Sequence, residues 1–282
     1  MERNTEEIKS FVRERYGSLA KKNSMSCCAP ETGMSPSCCS TNTASCQPQT
    51  VAERLYTSEE LEILPKDVTD ISLGCGNPTA IAELNEGEMV LDLGSGGGID
   101  CFLAAQKVGA QGRVIGLDMT PEMVQLAREN AQKIGASNVE FRLGEMEHMP
   151  VEDNSVDVII SNCVINLSPD KDAVFSEAFR VLKPGGRLCV SDIALLAELP
   201  KEIKESLDQW AGCVAGALNE KTYLDKIRTA GFVKVTADRN AVPVCAEGKT
   251  AQVQNPEVRQ TYLDLRDKVA SIRVKAFKPS KP

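Results

Sequence analysis

Val90-Leu91-Asp92-Leu93 runs directly into Gly94-Ser95-Gly96-Gly97-Gly98, and this junction decides the fold. A compact apolar run that ends on glycines predicts a buried strand, Met89 to Leu93, turning sharply at its carboxyl end. Glycine has no Cβ, so the backbone there turns tightly and can approach a bound molecule without a clash. Outward from this point strand and helix alternate. Residues 98–108 read as a helix and Arg113 to Asp118 as a strand. Pro121, at a first helical position, opens a helix through Ile134. Val139 to Leu143 and Val156 to Ser161 are strands. A helix from Asp172 to Leu182 ends at Lys183-Pro184-Gly185-Gly186, and Arg187 to Asp192 is the next strand. Strands joined by helices of ten or more residues imply right-handed crossovers and a sheet covered on both faces. The chain is therefore read as α/β, with a doubly wound, mostly parallel sheet.

The flanks differ in character. Residues 5–22 form an amphipathic helical pattern, with Ile8, Phe11, Val12, Arg15 and Leu19 on one face. Ser24 to Thr50 is rich in Ser, Thr and Pro and carries Cys27, Cys28, Cys38, Cys39 and Cys46. It holds too little apolar surface to fold alone and reads as a mobile segment. Regular structure resumes near Val51. Beyond Pro200 two helices are expected, one to about Leu218 and one from Lys221 to Ala230. Phe232 to Ala237 and Ser271 to Phe277 read as strands that extend the sheet or build a smaller C-terminal lobe. The reading divides the chain at 1–50, 51–195 and 196–282.

The chain has 282 residues, a formal net charge of −8, 42% apolar and 26% charged residues. That is an ordinary composition for a globular protein with a real core. The acidic balance leaves no broad basic surface for a phosphate backbone, so nucleic acid is not an expected partner. Eleven cysteines stand against one histidine, His148. A single histidine excludes a multi-histidine metal site and a histidine acid–base pair, and His148 reads as a surface loop residue. No apolar run approaches the roughly 18 residues of a membrane span. The first residues lack the apolar core of a secretory signal. The expected setting is the reducing cytoplasm, where cysteines stay as thiols, and the expected state is a monomer.

Asp118 ends the second strand, 20 residues past Gly98, in position to accept hydrogen bonds from ribose hydroxyls. The glycine turn lies at the carboxyl end of a central strand, where open α/β sheets bind ligands. A nucleoside-containing cofactor follows. The dinucleotide fingerprint G-x-G-x-x-G/A fails in both registers, because Ile99 and Cys101 stand where small residues belong. Asp92, two residues before Gly94, suits an ammonium group better than a pyrophosphate.

This D-x-G-x-G-x-G arrangement resembles the first motif of class I S-adenosylmethionine methyltransferases. The resemblance implies that Asp92, Gly94, Ser95, Gly96 and Gly98 cradle the methionine part of the cofactor. It further implies that Asp118 and Met119 hold the ribose side and that Gly144, Glu145 and Met146 bracket the adenine. Asn162 completes the set at the end of the fourth strand.

The cysteines divide by context. Adjacent Cα atoms lie about 3.8 Å apart, short of the roughly 4.4–6.8 Å that disulfides prefer. The pairs Cys27-Cys28 and Cys38-Cys39 are therefore poor internal disulfides, and read either as ligands for a soft, thiophilic centre or as inert surface thiols. Zinc lacks the C-x-x-C spacing it favours. Cys101 and Cys189 sit in apolar patterns and read as core. Cys245 has no assignment. Cys75 lies in the turn Gly74-Cys75-Gly76, Cys163 follows the fourth strand, and Cys213 lies in Trp210-Ala211-Gly212-Cys213. Singly each would be a small buried apolar residue; three placed around one cleft are harder to read as filler.

Ser161-Asn162-Cys163-Val164-Ile165-Asn166-Leu167 followed by Pro169-Asp170-Lys171, the Gly-Cys-Gly turn and the Trp-x-Gly-Cys stretch together resemble the arsenite S-adenosylmethionine methyltransferases, from about residue 50 to Phe277. The resemblance implies catalytic roles for Cys75, Cys163 and Cys213, with these thiolates binding trivalent arsenic and the last two forming the minimal site. Cys46 best matches a fourth family cysteine. Trivalent arsenic keeps a lone pair that can attack a methyl group directly, so no general base is required. Cys75 and Cys46 would then return arsenic to the trivalent state by closing a disulfide, which thioredoxin or glutathione reopens. Two rival readings stand beside this one: a class I methyltransferase of a small organic acceptor such as a quinone precursor, and a non-enzymatic thiol-rich metalloid-binding protein.

Overall fold

The computed structural model describes residues 4–25, 51–62, 64, 69, 76–198, 214–240 and 268–280. The chain opens with a long helix, α1 (Thr5–Met25), then short helices α2 (Val51–Leu55), α3 (Ser58–Glu62) and α4 (Pro78–Ala82). The alternating part follows as β1 (Met89–Leu93), α5 (Ile99–Val108), β2 (Arg113–Asp118), α6 (Pro121–Ile134), β3 (Val139–Leu143) and β4 (Val156–Asn162). A 3-10 turn, Ile165–Leu167, leads to α7 (Lys171–Val181) and β5 (Leu182–Leu195). The described C-terminal elements are α8 (Glu220–Thr229), β6 (Val233–Asn240) and β7 (Val269–Phe277).

Among the described residues these strands form one seven-stranded sheet in the order β3-β2-β1-β4-β5-β7-β6. The pairs among β1 to β5 are parallel, and β7 is antiparallel to both β5 and β6. The order reverses between β1 and β4, which leaves a crevice at their carboxyl ends where such sheets bind ligands. Of the two expectations for the C-terminal strands, extension of the sheet holds.

Side chains alternate across the sheet with the strand period of two. Leu91, Leu93 and Ile159 face a core that includes Phe175 and Tyr223. Val90, Val158 and Ile160 face the other, with Cys101, Phe102 and Phe141. Edge-to-face ring pairs brace each side, Phe175–Tyr223 at 5.4 Å and Phe102–Phe141 at 5.8 Å.

Both ends of β5 differ from the sequence reading. Lys183 to Gly186, expected to end the preceding helix, lie inside β5: Val156 pairs with Leu182 and Val158 with Arg187, so these four residues are absorbed as an irregularity in the ladder. At its other end β5 runs three residues past Asp192, because β7 supplies antiparallel partners as far as Leu195. The helix expected to reach about Leu218 falls largely on residues 201–213, outside the described residues; Val214 to Gly216 form a turn.

Candidate active site

A cavity of about 120 Å³ lies where the carboxyl ends of β1, β2, β3 and β4 converge beneath α1. Its floor is the glycine turn. The N–H groups of Gly94 and Ser95 both donate to the Leu117 carbonyl, at 2.7 and 3.0 Å, and Gly98 donates to the Ser95 carbonyl at 2.9 Å. Gly94 has φ +67°, and a Cβ there would overlap the Val164 side chain; Gly96 has φ +51° and faces open space. Ser95 Oγ is buried and has no hydrogen-bond partner. Asp118 braces the turn from β2, accepting the Gly96 N–H at 2.9 Å and the Thr120 N–H at 2.8 Å. Burial raises the Asp118 carboxyl pKa, against the pull of those backbone donors.

Two more carboxylates stand behind and beside the turn. Asp100, the second residue of α5, lines the cavity and is held from two sides. Tyr56 donates its hydroxyl to Oδ1 at 2.9 Å, and Asn162 donates Nδ2 to Oδ2 at 3.1 Å. Burial pushes Asp100 up to about 6, with Asn162 and Tyr56 pulling the other way. Asp92 is buried one layer back, where Cys101 donates its thiol to Oδ2 at 3.2 Å. Burial, and then the charge of Asp100, pushes Asp92 well above the usual carboxylate range. The site thus gathers three acids at one end of the sheet, an electrostatic setting that favours a cation.

Cys163 closes the far wall. It is buried, lines the cavity, and has φ +61°, a left-handed conformation unusual for a residue with a side chain. That conformation costs roughly 1–3 kcal/mol and persists only where the surroundings over-determine it. Here the Cys163 N–H donates to the Ser191 carbonyl on β5 at 2.7 Å. Among the described residues the cysteines are Cys101, Cys163 and Cys189, all buried. Cys189 sits in the core as expected, and burial pushes its thiol up to about 12. Cys101 also lies in the core, with the added part of holding Asp92. Of the three, Cys163 alone lines the cavity.

The roof is α1. Lys9, Val12 and Tyr16 reach the cavity from this helix. Lys9 Nζ lies 2.6 Å from Glu145 and 3.2 Å from Glu147, and Arg13 also pairs with Glu145. Burial alone would lower the Lys9 pKa; the hydrogen bond to Glu145 and the charge of Glu147 outweigh it and raise the value. At the other end of the helix Lys21 pairs with Glu122 at 2.8 Å, fastening α1 to α6.

The cavity brings together Gly94, Ser95, Gly96, Asp118, Met119, Gly144, Met146, Asn162 and Cys163 from the sequence reading. Asp92 and Gly98 are buried behind the turn rather than in the cavity wall. Glu145 turns away to α1, and Glu147 takes a place in the wall. Cys46, Cys75 and Cys213 lie outside the described residues, as do Cys27, Cys28, Cys38, Cys39 and Cys245. Their described neighbours are informative. Gly76, one residue past Cys75, exchanges hydrogen bonds with the Asn162 side chain, donating at 3.3 Å and accepting at 2.8 Å. Val214, one residue past Cys213, packs in the apolar cluster that contains Cys163 and Leu167. His148 is exposed, as expected. Sequence reasoning missed Asp100 and Lys9. An acid two residues after the glycine run was a readable signal for the first; nothing local marked the second, whose partners are more than 130 residues away.

A family model described as a methyltransferase domain matches residues 84–231. The chain is 48% identical over 239 residues to an arsenite methyltransferase of Halobacterium salinarum, an alignment covering 83% of this chain and 59% of that one. It is 32% identical to an arsenite methyltransferase of Mus musculus, over 99% of this chain and 70% of the relative. The crystal structure of an arsenic(III) S-adenosylmethionine methyltransferase from Chlamydomonas reinhardtii aligns with a TM-score of 0.63 and 34% identity, covering 79% of this chain and 73% of that one. The chain spans about three fifths of the length of the Halobacterium salinarum relative.

Proposed function

The chain belongs to the arsenite methyltransferase family, and from that membership we propose that it moves methyl groups from S-adenosylmethionine to trivalent arsenic held by its own thiolates. One observation carries the proposal: the Cys163 thiol sits in the wall of the same cavity that the glycine turn and Asp118 line. The cavity suits this cofactor on three counts. Ser95 Oγ is a buried hydroxyl awaiting a partner, Gly96 leaves open the space a Cβ would fill, and two acids in the wall, Asp100 and Asp118, favour a ligand with a sulfonium and an ammonium. When bound there, S-adenosylmethionine supplies an electrophilic methyl group to the lone pair of arsenic.

The residues of the chain bind and orient. Asp118, Met119 and Thr120, which line the cavity, would hold the ribose side of the cofactor, and Gly144 and Met146 the adenine side. Cys163 holds arsenic as a thiolate, with Cys75 and Cys213 completing a soft three-coordinate site. The Asn162 tie to Gly76 and the packing of Val214 in the Cys163 cluster support that grouping, since each flanks one of the other two cysteines. No side chain need take a proton from arsenic, so rate comes from orientation, which can contribute up to about 7–11 kcal/mol. Transfer leaves arsenic pentavalent, and two thiolates, Cys75 and Cys46, return two electrons by forming a disulfide that thioredoxin or glutathione reduces.

The test is direct. The full chain is incubated with methyl-labelled S-adenosylmethionine, arsenite and glutathione, and arsenic species are separated. Label in methylated arsenic is the expected result; arsenite binding without transfer would instead mark a sequestering protein.

A further inference from the structure

Asp192 is a buried acid on β5 that methyl transfer leaves without a role. It is 0% exposed and lies among apolar neighbours on a central strand. A buried polar side chain at such a position costs stability unless its hydrogen bonds are made. One of them reaches the segment that begins at Cys163, and the others hold the carboxylate in place. Asn166 Nδ2 donates to Asp192 Oδ1 at 2.8 Å and to the Ile193 carbonyl at 2.7 Å. The Ile193 N–H donates to the same Oδ1 at 2.9 Å, and the Tyr223 hydroxyl donates to Oδ2 at 3.2 Å. Lys171 ties the same segment down from α7, donating to the Ser168 carbonyl at 2.9 Å.

The segment from Cys163 to Ser168 is therefore fixed to β5 at two successive residues. Ser191 accepts the Cys163 N–H, and Asp192 accepts the Asn166 side chain three residues later. A left-handed cysteine needs such bracing, because it relaxes toward an ordinary conformation once its surroundings allow. We propose that Asp192 is a positioning residue, which, through Asn166, holds the turn that aims the Cys163 thiol at the cofactor cavity. The consequence for arsenic chemistry rests on the proposed function, whereas the placement of the thiol does not.

The experiment uses the full chain with Asp192→Ala, Asp192→Asn and, from the other end of the contact, Asn166→Ala. Three quantities are measured: the alkylation rate of Cys163 by iodoacetamide, read from its peptide mass; affinity for S-adenosylmethionine; and single-turnover methyl transfer to arsenite. In Asp192→Ala the freed turn exposes the thiol, and alkylation rises about tenfold. Transfer falls about a hundredfold, the scale of a 1 Å misplacement, while cofactor affinity holds within about twofold. Asp192→Asn keeps an acceptor at Oδ1 and an amide that can donate to the Tyr223 oxygen, so it recovers most of the lost transfer. A merely structural residue would lower stability without this split between binding and transfer. Alkylation and transfer at wild-type rates in Asp192→Ala would overturn the proposal; should that variant not fold, the same rates in Asn166→Ala would overturn it. If wild-type protein methylates no arsenite, the arsenic reading fails, and the alkylation rates still decide whether Asp192 positions Cys163.

Discussion

Gly94 and Val164 meet so closely that a side chain on the first would overlap the second. The contact joins the glycine turn after β1 to the residue directly after Cys163, so the cofactor floor and the thiol wall are one packed unit. Gly94→Ala is expected to combine that overlap with a φ of +67° and to destabilise the fold by about 1–3 kcal/mol in denaturant unfolding. Gly96→Ala, at φ +51° but facing open space, should cost only about 1 kcal/mol of stability. Its methyl group enters the cavity instead, so affinity for S-adenosylmethionine should fall at least about tenfold by calorimetry. Equal effects of the two substitutions on both quantities would contradict this division.

Asp100 makes cofactor binding sensitive to pH. Burial holds it at about 6, so it is neutral in acid and ionised above that value. Only the ionised carboxylate attracts a cationic ligand, so affinity for S-adenosylmethionine should rise as pH rises through about 6 and then level off. A proton is released on binding near the midpoint. Tyr56→Phe removes one donor to the carboxylate and should move the midpoint upward; Asp100→Asn should abolish the step. Titration calorimetry across this range checks it, and a flat wild-type profile would refute it.

Lys9 fastens the roof. Its ammonium bridges Glu145 and Glu147, and Lys9→Ala strands both carboxylates beside the cavity. The pair is partly buried, so a stability loss of about 1–3 kcal/mol is expected, between the values for exposed and fully buried pairs. Dissociation of S-adenosylmethionine should speed up several-fold in stopped-flow measurements. Unchanged dissociation would mean that α1 does not retain the cofactor.

The sheet was legible because its signals are local. Compact apolar runs such as Val90 to Leu93, the glycines after them and Pro121 at a helix start each specify structure within a few residues. The extent of β5 was not, because its start is set by the ladder with β4 and its end by pairing with β7, about 80 residues later. The site divides in the same way. The glycine turn and Asp118 announced themselves by spacing, and Cys163 by its place after the fourth strand and the family resemblance of its segment. Lys9 sits on the buried face of α1 only because Glu145 and Glu147 neutralise it, and the tie of Asn166 to Asp192 likewise needs the third dimension. Glu145 shows the converse: a correct neighbourhood whose side chain is claimed by α1.

The most direct measurement compares wild-type protein with Cys163→Ser under identical conditions, following both S-adenosylmethionine binding and methylated arsenic. Serine fills the same buried place beside Val164 but cannot ligate trivalent arsenic as a thiolate does. Cofactor affinity should stay within about threefold, since the glycine turn and Asp118 are untouched. Methylated arsenic should fall below detection. Methylation by Cys163→Ser at a rate near that of the wild type would show that the thiol in the cavity wall is not where arsenic is held.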